Sequence, residues 1–370
     1  MNVNERLRDA AIHHSIDFSQ YSASVAQRLV AVLNRADAEL FARLLIALEQ
    51  VDATTFTVER LEQLLYSVRT VNAQAYAAMG RELTDELKQV SDYEAGYQFR
   101  LFTSTMPEVV IAKVGVAAVN VDQVYAAALA RPFQGRLLSG WASKIEADRM
   151  ALIREAVRQG FVQGETNEAI VRRIRGTRAL RYEDGIVNRS RREVQTIVQT
   201  AVAHTAAVAR EQFFEANSDL ITAEVWTSTL DGRTSEMCRI RDHLKYTLKD
   251  HKPIGHSVPW LQGPGRLHFR CRSCATPQTK TFRQLGIPID EVPVGQRASM
   301  DGPVDAGLSY GEWLQRQSAA RQDQIVGPAR GKLMREGKMK FDELYTDRGI
   351  LLTLDELKKR DAAAFKRAGL

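Results

Sequence analysis

Three cysteines and a histidine are the residues whose types and spacing best suit them to hold a metal ion. Cys271 and Cys274 form a Cys-x-x-Cys pair in the stretch LHFRCRSCATP, His268 precedes them, and Cys238 lies upstream. Soft thiolates with one imidazole are the donor set of a tetrahedral zinc site, and a Cys-x-x-Cys pair can bind on a single turn. The set is therefore Cys238, His268, Cys271 and Cys274, with His243, His251 and His256 competing for the imidazole place. Three thiolates usually close a site, so zinc here would be structural, and no other cofactor is indicated. The bland alternative is a group of small buried thiols and polar loop histidines beside a tight turn.

A second chemistry is offered by Asp242-His243 and Asp250-His251, each of which resembles the start of a His-Asn-His nuclease site, where a metal polarises the scissile phosphate. Such a site expects a downstream asparagine, and none follows Asn217. No GxxxxGK[ST], GxGxxG or GxSxG occurs, which argues against nucleotide-driven and acyl-transfer chemistry.

A third is phosphate contact. Arg172, Arg173, Arg175, Arg178 and Arg181, followed by Arg189, Arg191 and Arg192, outnumber the acids among them. Guanidinium forks meet phosphates without reading sequence, so duplex DNA or an acidic protein surface would suit them, as would plain solvation of a helical face.

The elements that must position these groups are mostly helical. Leu29, Val32, Leu33, Ala36, Leu40, Leu44 and Leu48 follow the three-and-four spacing of one helix face, and Leu61, Leu65, Val68, Val71, Met79, Leu83 and Leu87 form a second stripe after a Thr57 N-cap. Pro107 and the stretch from Pro132 to Gly140 punctuate further helical runs, and Gly164 and Thr166 predict a stop and a new cap. After Asn217 the texture changes. The stretch ITAEVWTSTLDGRTS alternates, is rich in β-branched residues and ends in Asp231-Gly232, which predicts a strand and a hairpin or turn. From Pro253 to Gly307 glycine and proline break up any period, whereas helical patterning returns from Tyr310, with Thr353 as an N-cap. The fold class is mainly α: a long N-terminal helical region over 1–165, a small irregular α+β domain with a Cys/His metal clasp over 166–290, and a linker with a helical C-terminal extension over 291–370.

At 370 residues and 44% hydrophobic the chain can bury more than one core, and a net charge of +6 permits an acidic partner without demanding one. Three cysteines make no disulfide framework, so a reducing compartment is expected. No apolar leader and no run of about 18 apolar residues is present, which predicts a protein made in the cytoplasm with no membrane span.

The motif order from Arg191 to Pro277 resembles the head-morphogenesis or minor head proteins of tailed phages, typified by phage Mu protein F. In that family a helix rich in Arg, Thr and Ala leads to W-x-x-x-x-D-x-R-T, a Cys-x-x-Cys and a closing His-x-x-Cys-Arg-Cys. Trp226, Asp231, Arg233 and Thr234 match the first of these, Cys238 the second cysteine, and His268, Cys271 and Arg272 the closing motif. Ser235 and Ser273 stand where the family has cysteines, and Cys274 falls one position late, as a compensating ligand would. The resemblance implies a structural minor head protein rather than an enzyme, made in the host bacterial cytoplasm and carried in several copies inside the capsid near the portal vertex. Its partners would be the portal protein, the major capsid or scaffolding protein, and the genomic double-stranded DNA, with a part in packaging or ejection. The competing class is a virion-borne nuclease or toxin-like enzyme module.

Overall fold

The computed structural model describes residues 3–50, 58–288 and 295–370. The chain divides into two compact units, each built from separated segments: Gln20–Val90 with Tyr125–Thr205, and Met1–Ser19 with Ser91–Val124 and Ala206–Leu370. The division cuts across the three consecutive segments expected from composition. Three long helices, α1 (Val3–Glu49), α3 (Tyr66–Thr105) and α8 (Ile186–Ala216), contribute residues to both units, so no change of texture marks the boundaries.

Among its described residues the first unit has no strand, only an isolated bridge between Phe133 and Arg136, and α2 (Val58–Leu64), the greater part of α5 (Val121–Ala130), α6 (Leu138–Gln163) and α7 (Asn167–Arg175) lie beside its parts of the long helices. The two apolar stripes meet as their spacing predicts. Leu40, Leu44 and Leu48 pack with Leu61, Leu65, Val68 and Val71, and Ile153, Val157, Ile170 and Ile174 complete the core. Each leucine so buried stabilises the fold by about 1.5–3 kcal/mol. Thr57 lies outside the described residues. Gly164 closes α6 in the left-handed conformation, and the Thr166 hydroxyl accepts from Ala169 N at 3.2 Å, satisfying one orphan donor of α7. Within this helical core the buried Asp37 carboxylate binds both Arg149 and Arg191.

The second unit holds the sheet, α4 (Glu108–Val114) and the C-terminal helices. Strand β1 (Ile221–Thr227) pairs antiparallel with β2 (Lys245–Tyr246) on one side and β4 (Cys274–Thr279) on the other, and β3 (Pro253–Ile254) adds to β2. The core beneath is aromatic: Trp226, Tyr246 and Trp260 meet edge to face, with Phe102, Phe213 and Phe214 beside them in the same cluster. Asp231-Gly232 is a turn and not a hairpin. The hairpin of this region joins β5 (Gln296–Ser299) to β6 (Gly302–Asp305) through Met300-Asp301. From Tyr310 the chain folds as short helices, α10 (Tyr310–Gln315) to α14 (Ala362–Arg367), around Trp313, Leu314, Leu333, Phe341, Leu344 and Phe365. Leu230, inside the Trp226 motif, is buried in that cluster, so the extension is packed against the small domain. Thr353 caps α13 (Leu354–Arg360) in a reciprocal capping box with Glu356.

Candidate metal centre and arginine cluster

Two short turns build the Cys/His site. Ser235 N-caps the single-turn helix α9 (Glu236–Arg239), which places Cys238 on its inner face, buried. Opposite, Cys271 N donates to His268 O at 3.2 Å, closing a turn in which Arg270 takes the left-handed conformation at φ 57°. Residues 235, 238, 268 and 271 thus occupy the two ends of two i, i+3 turns that face each other.

Cys238 Sγ lies 3.5 Å from His268 Nε2 and 3.6 Å from Cys271 Sγ. The corresponding edges of a tetrahedron with zinc–sulfur bonds near 2.3 Å and zinc–nitrogen bonds near 2.05 Å are about 3.6 and 3.8 Å. His268 Nδ1 donates to Phe269 O at 2.9 Å, which turns the Nε2 lone pair towards the thiols, as in metal-bound imidazoles whose other nitrogen is tied to a carbonyl. The residues therefore fit zinc at three corners. At the fourth stands Ser235 Oγ, 2.9 Å from His268 Nε2.

Cys274, the expected fourth ligand, is not part of the cluster. It opens β4 opposite Thr227, and its thiol faces Ala11 O at 3.9 Å, buried away from the other three. The strand pairing fixes its direction, so a loop shift cannot make it replace Ser273, whose hydroxyl lies 3.3 Å from that of Ser228. His243, His251 and His256 are likewise outside the cluster formed by Cys238, His268 and Cys271.

Among the three ligands the protons are unevenly held. The hydrogen bond from Cys238, with further help from His268, holds the Cys271 thiol well below its ordinary range against the effect of burial. The same bond and burial push Cys238 well up, and His268 is raised chiefly by its bond to Cys271. Cys271 is thus the more acidic of the two thiols.

The remaining motif residues brace this site. The Asp231 carboxylate accepts from Arg233 N at 2.9 Å and Thr234 N at 3.0 Å, which shapes the turn into α9. Arg272 grips the same carboxylate with both arms, at 2.5 and 2.8 Å, and so ties the closing motif to the first one. Arg233 itself is exposed, 4.0 Å from Asp231. Trp226 is fully buried in the aromatic core.

Three residues of the two Asp-His pairs are engaged within the fold, whereas Asp250 is exposed and meets Lys252 at 3.2 Å. Asp242 is buried, accepts from Ser228 N and Tyr310 N at 2.8 Å each, and meets the wholly buried Arg297 at 3.1 Å. Burial favours its neutral form, but Arg297 and His243 outweigh it and lower its pKa. Arg297 also donates to His243 Nε2 at 2.6 Å. A guanidinium has only donors, so this imidazole is neutral, and burial beside Arg297 lowers its pKa to about 4. His251 stacks on Trp260 with ring centroids 4.7 Å apart and lies 3.8 Å from the buried Glu224. Arg297 and Tyr310 carry no signal as functional residues in the sequence, and Ser235 stood out there only as the residue in a family cysteine's place. Ser235 had a signal, since it stands three before Cys238 as His268 stands three before Cys271.

In the helical unit the arginines divide. Arg173 is ion-paired to Glu165, Arg189 meets Glu193 at 3.1 Å and Arg191 meets Asp37 at 2.5 Å. Arg172, Arg175, Arg178 and Arg181 are exposed, and among the described residues none of them has a carboxylate within ion-pair distance. No helix among the described residues is long and apolar enough to cross a membrane.

Compared with known proteins, residues 151–276 match the family model described as phage Mu protein F like protein. The matched segment runs from within α6 through β1 and the metal centre into β4, and it takes in every motif on which the resemblance rests except its last residue, Pro277. No curated protein and no solved structure matches.

Proposed function

With residues 151–276 phage Mu protein F-like, we propose that the chain is a head-morphogenesis protein of a tailed phage, a virion component that acts through its surfaces. The match over that segment is the observation that carries the reading. In the finer form of this proposal the protein sits in several copies inside the capsid at the portal vertex and binds the portal protein, with the major capsid or scaffolding protein as neighbours. The exposed Arg172, Arg175, Arg178 and Arg181 contact packaged double-stranded DNA during packaging or ejection.

We assign the Cys/His centre a structural role. Cys238, His268 and Cys271 would hold zinc, whose contribution there is to neutralise the Cys271 thiolate and lock α9 onto the His268 turn. A non-catalytic role is supported by the state of the Asp242-His243 pair. Asp242 has two backbone donors and an arginine on its oxygens, and His243 gives its acceptor to the same arginine, so neither is left to activate water.

The test is an asymmetric reconstruction of the virion together with co-purification on the portal ring. Density for the two units at the portal vertex and retention on the ring are expected. A chain absent from purified procapsids and virions sinks the proposal.

A further inference from the structure

Arg175, Arg181 and Arg191 line one cleft of the helical unit, about 470 Å³ in volume, together with Asn34, Asp37 and Tyr182. Its charge is unbalanced. Three guanidinium groups face a single carboxylate, and that carboxylate is already bonded to Arg149 and Arg191. Arg175 is held by its flat face, 4.9 Å over the ring of Tyr182 and 5.9 Å from that of Phe41. Among the described residues its one polar contact is a long one, 3.4 Å to the Tyr182 hydroxyl. A guanidinium stacked in this way keeps its edge N–H donors for an incoming planar or tetrahedral oxyanion.

The loop that completes the cleft is set in advance. Gly176 and Gly185 touch so closely at its base that a Cβ on Gly185 would lie 2.3 Å from Arg175 O. Thr177 N donates to the Asp184 carboxylate at 2.8 Å, and Tyr182 N to Thr177 O at 2.8 Å. Arg181 and Tyr182 both take left-handed backbone, at φ 52° and 63°, a strained pair for side chains of this size. The hydrogen bonds of Thr177 and Tyr182 hold the loop in this conformation at the cleft.

We infer that this cleft is a phosphate-binding site that takes one phosphate of a DNA strand on the forks of Arg175 and Arg181, with Arg191 adding charge behind them. A carboxylate is met by one fork, whereas several guanidinium groups converging on a concave site suit the larger charge and extra oxygens of a phosphate. The inference rests on the DNA contact proposed above and narrows it. The anchoring contact is a concave site for one phosphate, and the other exposed arginines supply a surrounding field.

The experiment uses the full chain and a short fluorescent DNA strand, alone and as a duplex, titrated by anisotropy at several salt concentrations. Inorganic phosphate is added as a competitor against chloride of equal ionic strength. Arg175→Gln with Arg181→Gln is compared with Arg81→Gln with Lys88→Gln, which removes the same charge from exposed positions on α3 of the same unit. The cleft variant is expected to bind roughly tenfold or more weakly, while the control loses less than about threefold. Inorganic phosphate should compete with DNA on the native chain. Arg175→Lys with Arg181→Lys, which keeps charge but not the forks, should fall between, and circular dichroism checks that each variant is folded. Equal losses in the cleft and control pairs overturn the site while leaving DNA contact standing. No DNA binding by the native chain, with a thermal shift from inorganic phosphate that the cleft variant lacks, removes DNA as the source and the DNA-contact reading with it. The absence of both responses overturns both.

Discussion

Replacing Asp242 by asparagine keeps the shape of the side chain and removes its charge from the centre of the sheet-containing unit. Arg297 would then remain wholly buried with no carboxylate, held only by the carbonyls of Ser228 and Leu308, at 2.7 and 3.0 Å, and by His243. The asparagine can accept from only one of Ser228 N and Tyr310 N, since the carboxylate's other oxygen becomes an NH₂ group facing donors. Breaking one side of a buried ion pair costs about 3–5 kcal/mol, because the partner charge stays buried without compensation. For a unit of this size each kcal/mol moves the midpoint by about 2–4 °C, so the unit should melt on the order of 10 °C lower. Calorimetry of the full chain reads the shift, and amide exchange should show β2, β5 and the turn after β1 opening together. Adding Arg297→Met should recover much of the loss, as apolar replacements of buried ion pairs commonly do. A melting point within a degree of the native chain would refute the assignment of Asp242 as a structural knot. The same preparation tests catalysis: metal-dependent nicking of plasmid DNA that vanishes in Asp242→Asn or His243→Ala, with stability unchanged, would establish a nuclease, since loss of a general base lowers rates by about 10²–10⁴-fold.

Elemental analysis should find about one zinc per chain, lost in Cys271→Ser and retained in Cys274→Ser, while Ser235→Cys should slow removal of the metal by a chelator. Zinc content that depends on Cys274 would contradict the geometry of the centre. His243 has a folded pKa near 4, below its ordinary value, so the unfolded chain binds the extra proton first as pH falls. Stability should drop between about pH 6.5 and 4, by about 1–3 kcal/mol once partial exposure is allowed for, and His243→Asn, which tolerates the left-handed backbone at φ 68°, should flatten that limb of a pH–melting curve. In the helical unit, Leu61→Asp with Leu65→Asp places two charges in the core and should unfold it or block incorporation into heads, whereas His251→Ala should leave assembly nearly intact. Normal incorporation of the double variant would overturn the packing of the two stripes.

The helices were legible because burial leaves a periodic trace. Leu40, Leu44 and Leu48 and Leu61, Leu65 and Val68 announce a shared core by their spacing alone. Caps at Thr166 and Thr353 were legible for the same local reason, since an orphan N–H three residues on needs a hydroxyl. Strands β2 and β3, of two residues each, are too short to alternate. Asp301-Gly302 carried the same turn signal as Asp231-Gly232, yet only the former lies at a hairpin, because Asp231 spends its carboxylate on the amides of Arg233 and Thr234 and on Arg272. Three of the four predicted ligands converge. Cys274 departs from them because adjacency along the chain suggests a ligand where strand direction decides. The pairing of Asp242 with Arg297 had no local trace at all, since the two meet across more than fifty residues of irregular chain.

The same long-range contacts bear on why a centre with a serine at one corner can persist. In a domain with little core, a metal is the main staple and a weakened ligand set unfolds the chain. Here the two turns that carry the ligands are already fixed from outside the centre. Arg272 clamps the His268 side to Asp231 on the α9 side, and Arg239, at the end of α9, donates to Thr234 O at 2.7 Å and Ile325 O at 2.8 Å. Beneath them Trp226, Tyr246 and Trp260 form an apolar floor that needs no ion. Within the centre, Cys238 Sγ lies 3.6 Å from Cys271 Sγ and helps to hold the Cys271 thiol below its ordinary range. The scaffold therefore positions the donors from outside the centre, and zinc would add a further tie between the two turns. Substitution at position 235 is accordingly a change in affinity for metal, whereas substitution at Asp231 or Arg272 is a change in whether the two turns face each other at all.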